Sequence, residues 1–201
     1  PPQARSALLE CLALGADRAI HLTDRAFAGA DTIATARTLS MALRRLQPRP
    51  DLILCGKFTV DSETGQVPSM IAEFLDLPQV TSVRKIRPQD GGRTLWVERE
   101  TDEGYEHYEV PLPAVLSTTE WIVLQVRRPS PEELAAAESK PLDVWTAADL
   151  GVDPSAVGLA GSPTWVADLR TIPVERTPRI LADLDPQAAA KEVARYLLDH
   201  G

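Results

Sequence analysis

The chain has 201 residues, 29 acidic and 21 basic, for a net charge of -8 at pH 7. That length buries a real core, as one large domain or as a domain with an extension. The charge balance and the absence of a basic patch with interleaved aromatics argue against nucleic acid as partner, and no apolar run approaches the length that crosses a bilayer. No signal peptide is visible, and Cys11 and Cys55 are the only cysteines, so the expected setting is a reducing one, cytosolic or matrix-like, with both thiols free and buried.

The chain opens on Pro1-Pro2-Gln3, with no initiator methionine, and passes directly into a helical pattern with apolar Ala7, Leu8, Cys11, Leu12 and Leu14. Gly15 ends that helix and Ala19-Ile20-His21-Leu22 reads as a short strand. An α/β fold that starts on a helix lacks the strand that would feed it, so further sequence is expected to precede it. Thr32 to Leu46 is a second helix, stopped by Gln47-Pro48-Arg49-Pro50. A strand follows over Leu52 to Cys55, then a polar loop, then a helix from Pro68 to Leu75. Alternating strands and helices with apolar strands indicate a doubly wound, mostly parallel sheet.

The loop between that strand and helix is the most informative segment. It reads Gly56-Lys57-Phe58-Thr59-Val60-Asp61-Ser62-Glu63-Thr64-Gly65-Gln66-Val67-Pro68-Ser69 and lies where parallel sheets receive ligands, outside the carboxyl end of a strand. A helix start presents unpaired N–H groups and partial positive charge to an anion. Gly65 allows close backbone approach, while Thr64, Gln66 and Ser69 supply neutral donors. No G-K-[ST] lysine follows, so this is not the phosphate loop of ATPases.

Beyond Pro78 the period changes to two. Val80 to Ile86, Arg93 to Arg99 and Tyr105 to Val110 read as antiparallel strands turned by Asp90-Gly91-Gly92 and Asp102-Glu103-Gly104. Val115-Leu116-Ser117 is one more apolar strand, and a proline-bounded loop from Arg127 to Pro131 precedes a short helix over Glu132 to Glu138. Lys140 to Pro178 contains little that forms a core by itself, which in a long segment points to function or docking. A last helix spans Pro186 to Leu198. Other chemistry is thin. His21, His107 and His200 lack ligand spacing, the acidic residues Glu98, Glu100, Asp102, Glu103 and Glu106 read as a solvated hairpin face, and Gly-x-Ser-x-Gly is absent. Ser162 reads as a turn or interface residue. Trp145 and Trp165 suit burial against a partner.

Several segments, in order, resemble the β subunit of electron transfer flavoproteins: Leu14-Gly15-Ala16-Asp17-Arg18, Asp51 to Lys57, Asp61-x-x-Thr64-Gly65-Gln66-Val67, Phe74 to Gln79, Leu112-Pro113-Ala114-Val115, Asp149 to Asp153, and Gly158 to Val166. The resemblance implies an adenine-nucleotide α-hydrolase-like fold and a non-catalytic electron-carrier subunit, paired with an α subunit that holds the redox FAD. It implies electrons taken from an acyl-CoA dehydrogenase or another flavin dehydrogenase and passed to a quinone reductase or ferredoxin-type acceptor; some members also bifurcate electrons from NADH. AMP, or a second FAD in bifurcating members, is implied at Gly56, Asp61, Thr64, Gly65, Gln66, Val67 and Ser69. The Asp61 to Val67 form is nearer that of bifurcating members, which favours FAD. Pro68, where many relatives have glycine, and the lack of a counterpart to the family's opening strands weaken that preference without reversing it. Proline removes one N–H donor, yet its fixed φ suits a first helical turn.

The family's dehydrogenase-docking loop corresponds to residues 123–140, with Val126, Pro129, Ser130 and Leu134 as contacts, although the usual Asn-Glu-Pro-Arg is not reproduced. The expected division is a nucleotide-binding domain over 1–128, a docking loop and short helix over 129–140, and an arm over 141–201 that wraps the α subunit. A stand-alone nucleotide sensor of the universal-stress type is the alternative, but has no use for so long an extension. A pyrophosphatase of the same superfamily would need a Ser-Gly-Gly-x-Asp-Ser loop, which is missing.

Overall fold

A computed structural model describes residues 2–60, 62–123, 125–173, 178 and 180–200, the last of these by its backbone. The chain divides into two units, Pro1–Trp165 and Val166–Gly201. In the first unit the elements are α1 (Arg5–Ala13), β1 (Ala19–Leu22), α2 (Thr32–Arg45), β2 (Leu52–Gly56), α3 (Val67–Leu75), β3 (Gln79–Gln89), β4 (Thr94–Thr101), β5 (Gly104–Pro111), β6 (Ala114–Thr118), α4 (Pro131–Ala137), β7 (Leu142–Trp145) and α5 (Ala147–Leu150).

The main sheet has the order β2-β6-β3-β4-β5. β6 runs parallel to both β2 and β3, whereas β3, β4 and β5 form an antiparallel edge. This is the expected α/β class, with a mostly parallel centre and an antiparallel addition. The two hairpin turns need backbone that glycine supplies: Gly91 and Gly92 at φ 65° and 88°, and Gly104 at φ 142°. β6 is the strand buried on both faces. Ala114 and Leu116 pack with Val80, Val83, Leu95, Val97 and Val110, while Val115 packs with Ile53, Ile71, Ala72 and Ala36 beneath α2 and α3. Its continuous apolar run follows from that double burial.

A second, two-stranded parallel sheet pairs β1 with β7 from Ala19↔Leu142 to Leu22↔Trp145. Here the segment after Lys140 departs from the expectation that it holds little core. Lys140 Nζ donates to Leu12 O at 2.7 Å and Ala16 O at 3.0 Å, closing the carboxyl end of α1. Ala147, Val152 and Val157 are buried with Ala26, Phe27 and Met41. The four-residue strand and four-residue helix were too short for periodicity to register. Trp145 is half-buried on its own chain, with the Arg18 and Arg45 guanidinium groups 5.9 and 5.3 Å from its ring centroid. Among the described residues β2 pairs in the main sheet with β6 alone. A largely apolar groove of about 490 Å³ separates β2 from β1, lined by Ile20, Leu22, Leu39, Ile53, Leu54 and Ile71 among others.

Three further details differ from the sequence reading. Cys11 is exposed because it lies off the buried stripe of α1, and Cys55 is half-buried, where burial pushes its thiol pKa up. Glu98 is not on a solvated face: it is buried and accepts from Lys85 at 2.9 Å, with His107 at 3.1 Å and Arg84 at 3.4 Å. Hydrogen bonding from Lys85, then from His107, holds its carboxyl below the ordinary range. His107 in turn stacks on Trp96 at 5.0 Å. The short helix after the proline loop begins one residue earlier than expected, because Pro131 takes the first helical position behind the Ser130 cap.

In the second unit α6 spans Pro186–His200. Asp185 Oδ1 accepts from Gln187 N and Ala188 N, which caps its first turn. Val193, Leu197 and Leu198 of α6 are exposed. Among the described residues no helix is long and apolar enough to cross a membrane.

Candidate functional site

The loop leaves the carboxyl end of β2, where Gly56 pairs with Thr118 at the end of β6. Thr118 Oγ1 donates to Cys55 O at 3.3 Å and ties these two strand ends together. Glu63 N–H donates to Thr59 O at 3.0 Å, folding the loop back on itself, with Glu63 in the left-handed region. Gly65 follows at φ 63°, and a Cβ built on it would lie 3.4 Å from Lys57 O. The two ends of the loop therefore touch at a position that glycine suits best. Asp61 lies outside the described residues.

α3 then begins without a side-chain cap. Gln66 stands at the cap position with helical dihedrals and makes no cap hydrogen bond, and Pro68 occupies the first turn, as its fixed φ allows. The first-turn N–H groups of Val67 and Ser69 are thus left to other acceptors. Thr64 and Gln66 are exposed; Gly65, Val67 and Ser69 are half-buried. Ser69 Oγ donates to Gln79 Oε1 at 3.0 Å, so it serves a ligand as donor only by exchanging that bond. Neutral donors, an uncapped helix start and a close backbone turn suit a phosphate group. A Cβ built on Gly56 would meet nothing within 4 Å.

Elements that sequence reasoning left out of the site brace the start of α2, which reaches this loop through Thr32. Asp31 caps α2, its carboxylate accepting from Ala34 N at 2.9 Å, Thr164 Oγ1 at 2.8 Å and Thr164 N at 3.1 Å. Ser162 Oγ accepts from Asp31 N at 2.9 Å and donates to Gly158 O at 2.7 Å, the work of a turn residue. Thr32 Oγ1 donates to Gln66 Oε1 at 3.2 Å and so joins the start of α2 to the start of α3. An Asp-Thr pair before an apolar run was the legible signal for the cap. The contact with residues 158–164 spans more than a hundred positions and had none. Beside the loop, a polar cleft of about 480 Å³ is lined by Lys57, Ser82, Arg99, Glu100, Thr101 and Asp102.

Burial draws the Asp31 carboxyl pKa upward, but the bonds from Ala34 and Thr164 together outweigh it and hold the pKa below the ordinary value of 3.8. The backbone N–H groups of Ala26 and Ala147 depress Asp24 in the same way. A depressed folded pKa means that the contribution is complete above the unfolded value and disappears as pH falls through the folded one. Stability is therefore expected to hold down to about pH 5 and to fall progressively below the ordinary carboxylate range of about 3.9. Asp31→Asn keeps a good cap and should flatten part of that fall, which denaturant midpoints at pH 7, 4 and 3 would measure.

The residues expected to dock a dehydrogenase differ in character. Val126 is 85% exposed, and Pro129, Ser130 and Leu134 are half-buried. Ser130 is committed to α4: its Oγ accepts from Glu133 N at 3.2 Å while Glu133 accepts from Ser130 N at 2.8 Å. Arg127 also binds Glu133, at 2.7 Å. Among the described residues no His, Cys, Asp and Glu group could hold a metal ion.

A mostly parallel α/β sheet with an uncapped, glycine-led loop at its carboxyl edge defines a protein of the open α/β class, whose ligand crevice lies outside the carboxyl ends of the strands. Residues 1–150 match the electron transfer flavoprotein domain. The whole chain is 39% identical to the electron transfer flavoprotein subunit beta of Clostridium acetobutylicum, covering 75% of that protein, and 44% identical to that of Thermoanaerobacterium thermosaccharolyticum, again over 75%. Over 83% of the chain it is 42% identical to the caffeyl-CoA reductase-Etf complex subunit CarD of Acetobacterium woodii, covering 62% of it. The chain belongs to the electron transfer flavoprotein family, on its β-subunit side, and its role is in electron transfer. The universal-stress sensor falls away as the chain's family.

Proposed function

We propose that this chain is the β subunit of a heterodimeric electron transfer flavoprotein and holds the phosphate of an adenine nucleotide, AMP or a second FAD, at residues 56–69. The observation that carries the reading is the start of α3: no side chain caps it, Gly65 brings the backbone in close, and Thr64 and Gln66 stand exposed beside it. Val67 N–H, with Ser69 and Gln66 side chains, would hold the phosphate by charge-free hydrogen bonds. A bound flavin supplies the redox chemistry; the chain's own residues bind it and fix its place. The partner is an α subunit with the redox FAD, engaged by the segment from Val166 onward, whose apolar side chains are exposed, rather than by the whole of 141–201. Electrons arrive from an acyl-CoA dehydrogenase or other flavin dehydrogenase that docks at Val126, Pro129, Ser130 and Leu134, and leave to a quinone reductase or ferredoxin-type acceptor. The likeness to CarD, a subunit of a caffeyl-CoA reductase-Etf complex, supports a place beside a flavin dehydrogenase or reductase.

The test is to purify the chain with its α subunit, denature the heterodimer and separate the released nucleotides. One flavin with one AMP assigns AMP to this subunit; two flavins assign FAD. No adenine nucleotide beyond the α-subunit flavin overturns the reading. Gln66→Ala is expected to weaken nucleotide binding by about fivefold to tenfold, the net value of one hydrogen bond at roughly 1 kcal/mol, without unfolding the sheet.

A further inference from the structure

Gln66 occupies an unusual position at the start of α3. It stands at the cap yet does not cap: its backbone is already helical and its side chain makes no bond to the helix it precedes. Instead its Oε1 accepts from Thr32 Oγ1 at 3.2 Å. An amide has one acceptor end and one donor end, and a phosphate is served by the donor end alone. With Oε1 engaged by Thr32, Nε2 is the end left for an anion. Resting on the reading of residues 56–69 as a phosphate site, we propose that Thr32 is a positioning residue: it fixes the polarity of the Gln66 amide and so pre-orients the phosphate donor.

Thr32 is itself held firmly. It is the first residue of α2, and the cap beside it is held from outside the helix. Asp31 receives two bonds from Thr164 and gives its own N–H to Ser162 Oγ. The turn that carries those two residues is pressed against the chain upstream of α2: Leu159 N–H donates to Ala28 O at 2.9 Å, and Gly158 lies so near Ala26 O that a Cβ there would be 2.0 Å away. The hydroxyl therefore projects from a fixed helix start.

Without that hydroxyl, Gln66 would regain rotamer freedom, which for a glutamine side chain is among the larger entropies lost on ordering. It would also present its oxygen to the phosphate in one of its two amide orientations. Both effects weaken an anion and leave the fold alone, because pre-organisation acts on binding.

The experiment uses the heterodimer with its α subunit, depleted of nucleotide at the β-subunit site and titrated with AMP by calorimetry as the phosphate-bearing probe. Thr32→Val, which keeps shape and removes the donor, is expected to weaken AMP threefold to tenfold, and Thr32→Ser, which restores the donor, to bring affinity back within about twofold. Gln66→Ala is run beside them. If Gln66→Ala weakens AMP while Thr32→Val binds as wild type, the positioning role is overturned and the phosphate site stands. If Thr32→Ser is as weak as Thr32→Val, the effect is one of shape and the proposal fails. If Gln66→Ala is without effect, the phosphate site and the positioning role fall together.

Discussion

Replacing Gly158 with alanine is expected to remove about 3 kcal/mol or more of folding stability. The backbone there is at φ 57°, and an added Cβ would meet Ala26 O at 2.0 Å and Ala28 O at 2.9 Å. Both obstacles are main-chain atoms, so no rotamer change relieves them. The turn at 157–162 must lift off the 26–28 segment, and the Val157 contact with Phe27 and Ala26 loosens with it. Gly151 provides the control. It closes α5 at φ 66° with nothing within 4 Å of a built Cβ, so Gly151→Ala should cost only the left-handed penalty of about 1 kcal/mol. Denaturant midpoints of the two variants measure the difference. Equal losses would mean that the close approach at Gly158 is absent.

Ending the chain after Trp165 is expected to abolish stable pairing with the α subunit while leaving the first unit folded. The boundary between the two units falls there. Beyond it the apolar side chains are exposed: Val166 at 80%, Leu169 at 89%, Ile172 at 81% and Leu198 at 85%. Ordering such a segment without burying it gains nothing against its conformational entropy. In the heterodimer proposed above, the α-subunit surface would supply the burial, and an obligate interface of that kind runs above about 2,000 Å² in total. Losing several such anchors, each worth about 1.5–3 kcal/mol when fully buried, should weaken the heterodimer by more than a hundredfold. Size-exclusion chromatography of the truncated chain co-expressed with its α subunit reads the result directly, and circular dichroism checks the first unit. A truncated chain that still co-elutes in equal amount would place the essential contacts before Val166.

The sequence alone determined those parts of the protein in which neighbouring residues decide the outcome. The β4–β5 hairpin, the helix start at Pro186, that of α3 to within one residue of Pro68, and the loop of Thr64, Gly65 and Gln66 were all legible, because turn chemistry, proline φ and side-chain period act over a few residues. The resemblance in order along the chain supplied the family, which periodicity has no means of supplying. Tertiary structure decided whatever depends on residues far apart in the chain. Glu98 looked like one more surface acid of a hairpin until Arg84, Lys85 and His107 closed around it. The segment after Lys140 looked coreless because β7 and α5 are four residues each. Their burial arises from β1 and from residues 24–28, more than a hundred positions upstream. The same holds at the candidate site. The donors on the loop are written locally, but what holds Gln66 in place comes from Thr32, and what holds Thr32 comes from Ser162 and Thr164. Local chemistry chose the groups that could meet a phosphate; long-range packing chose their orientation.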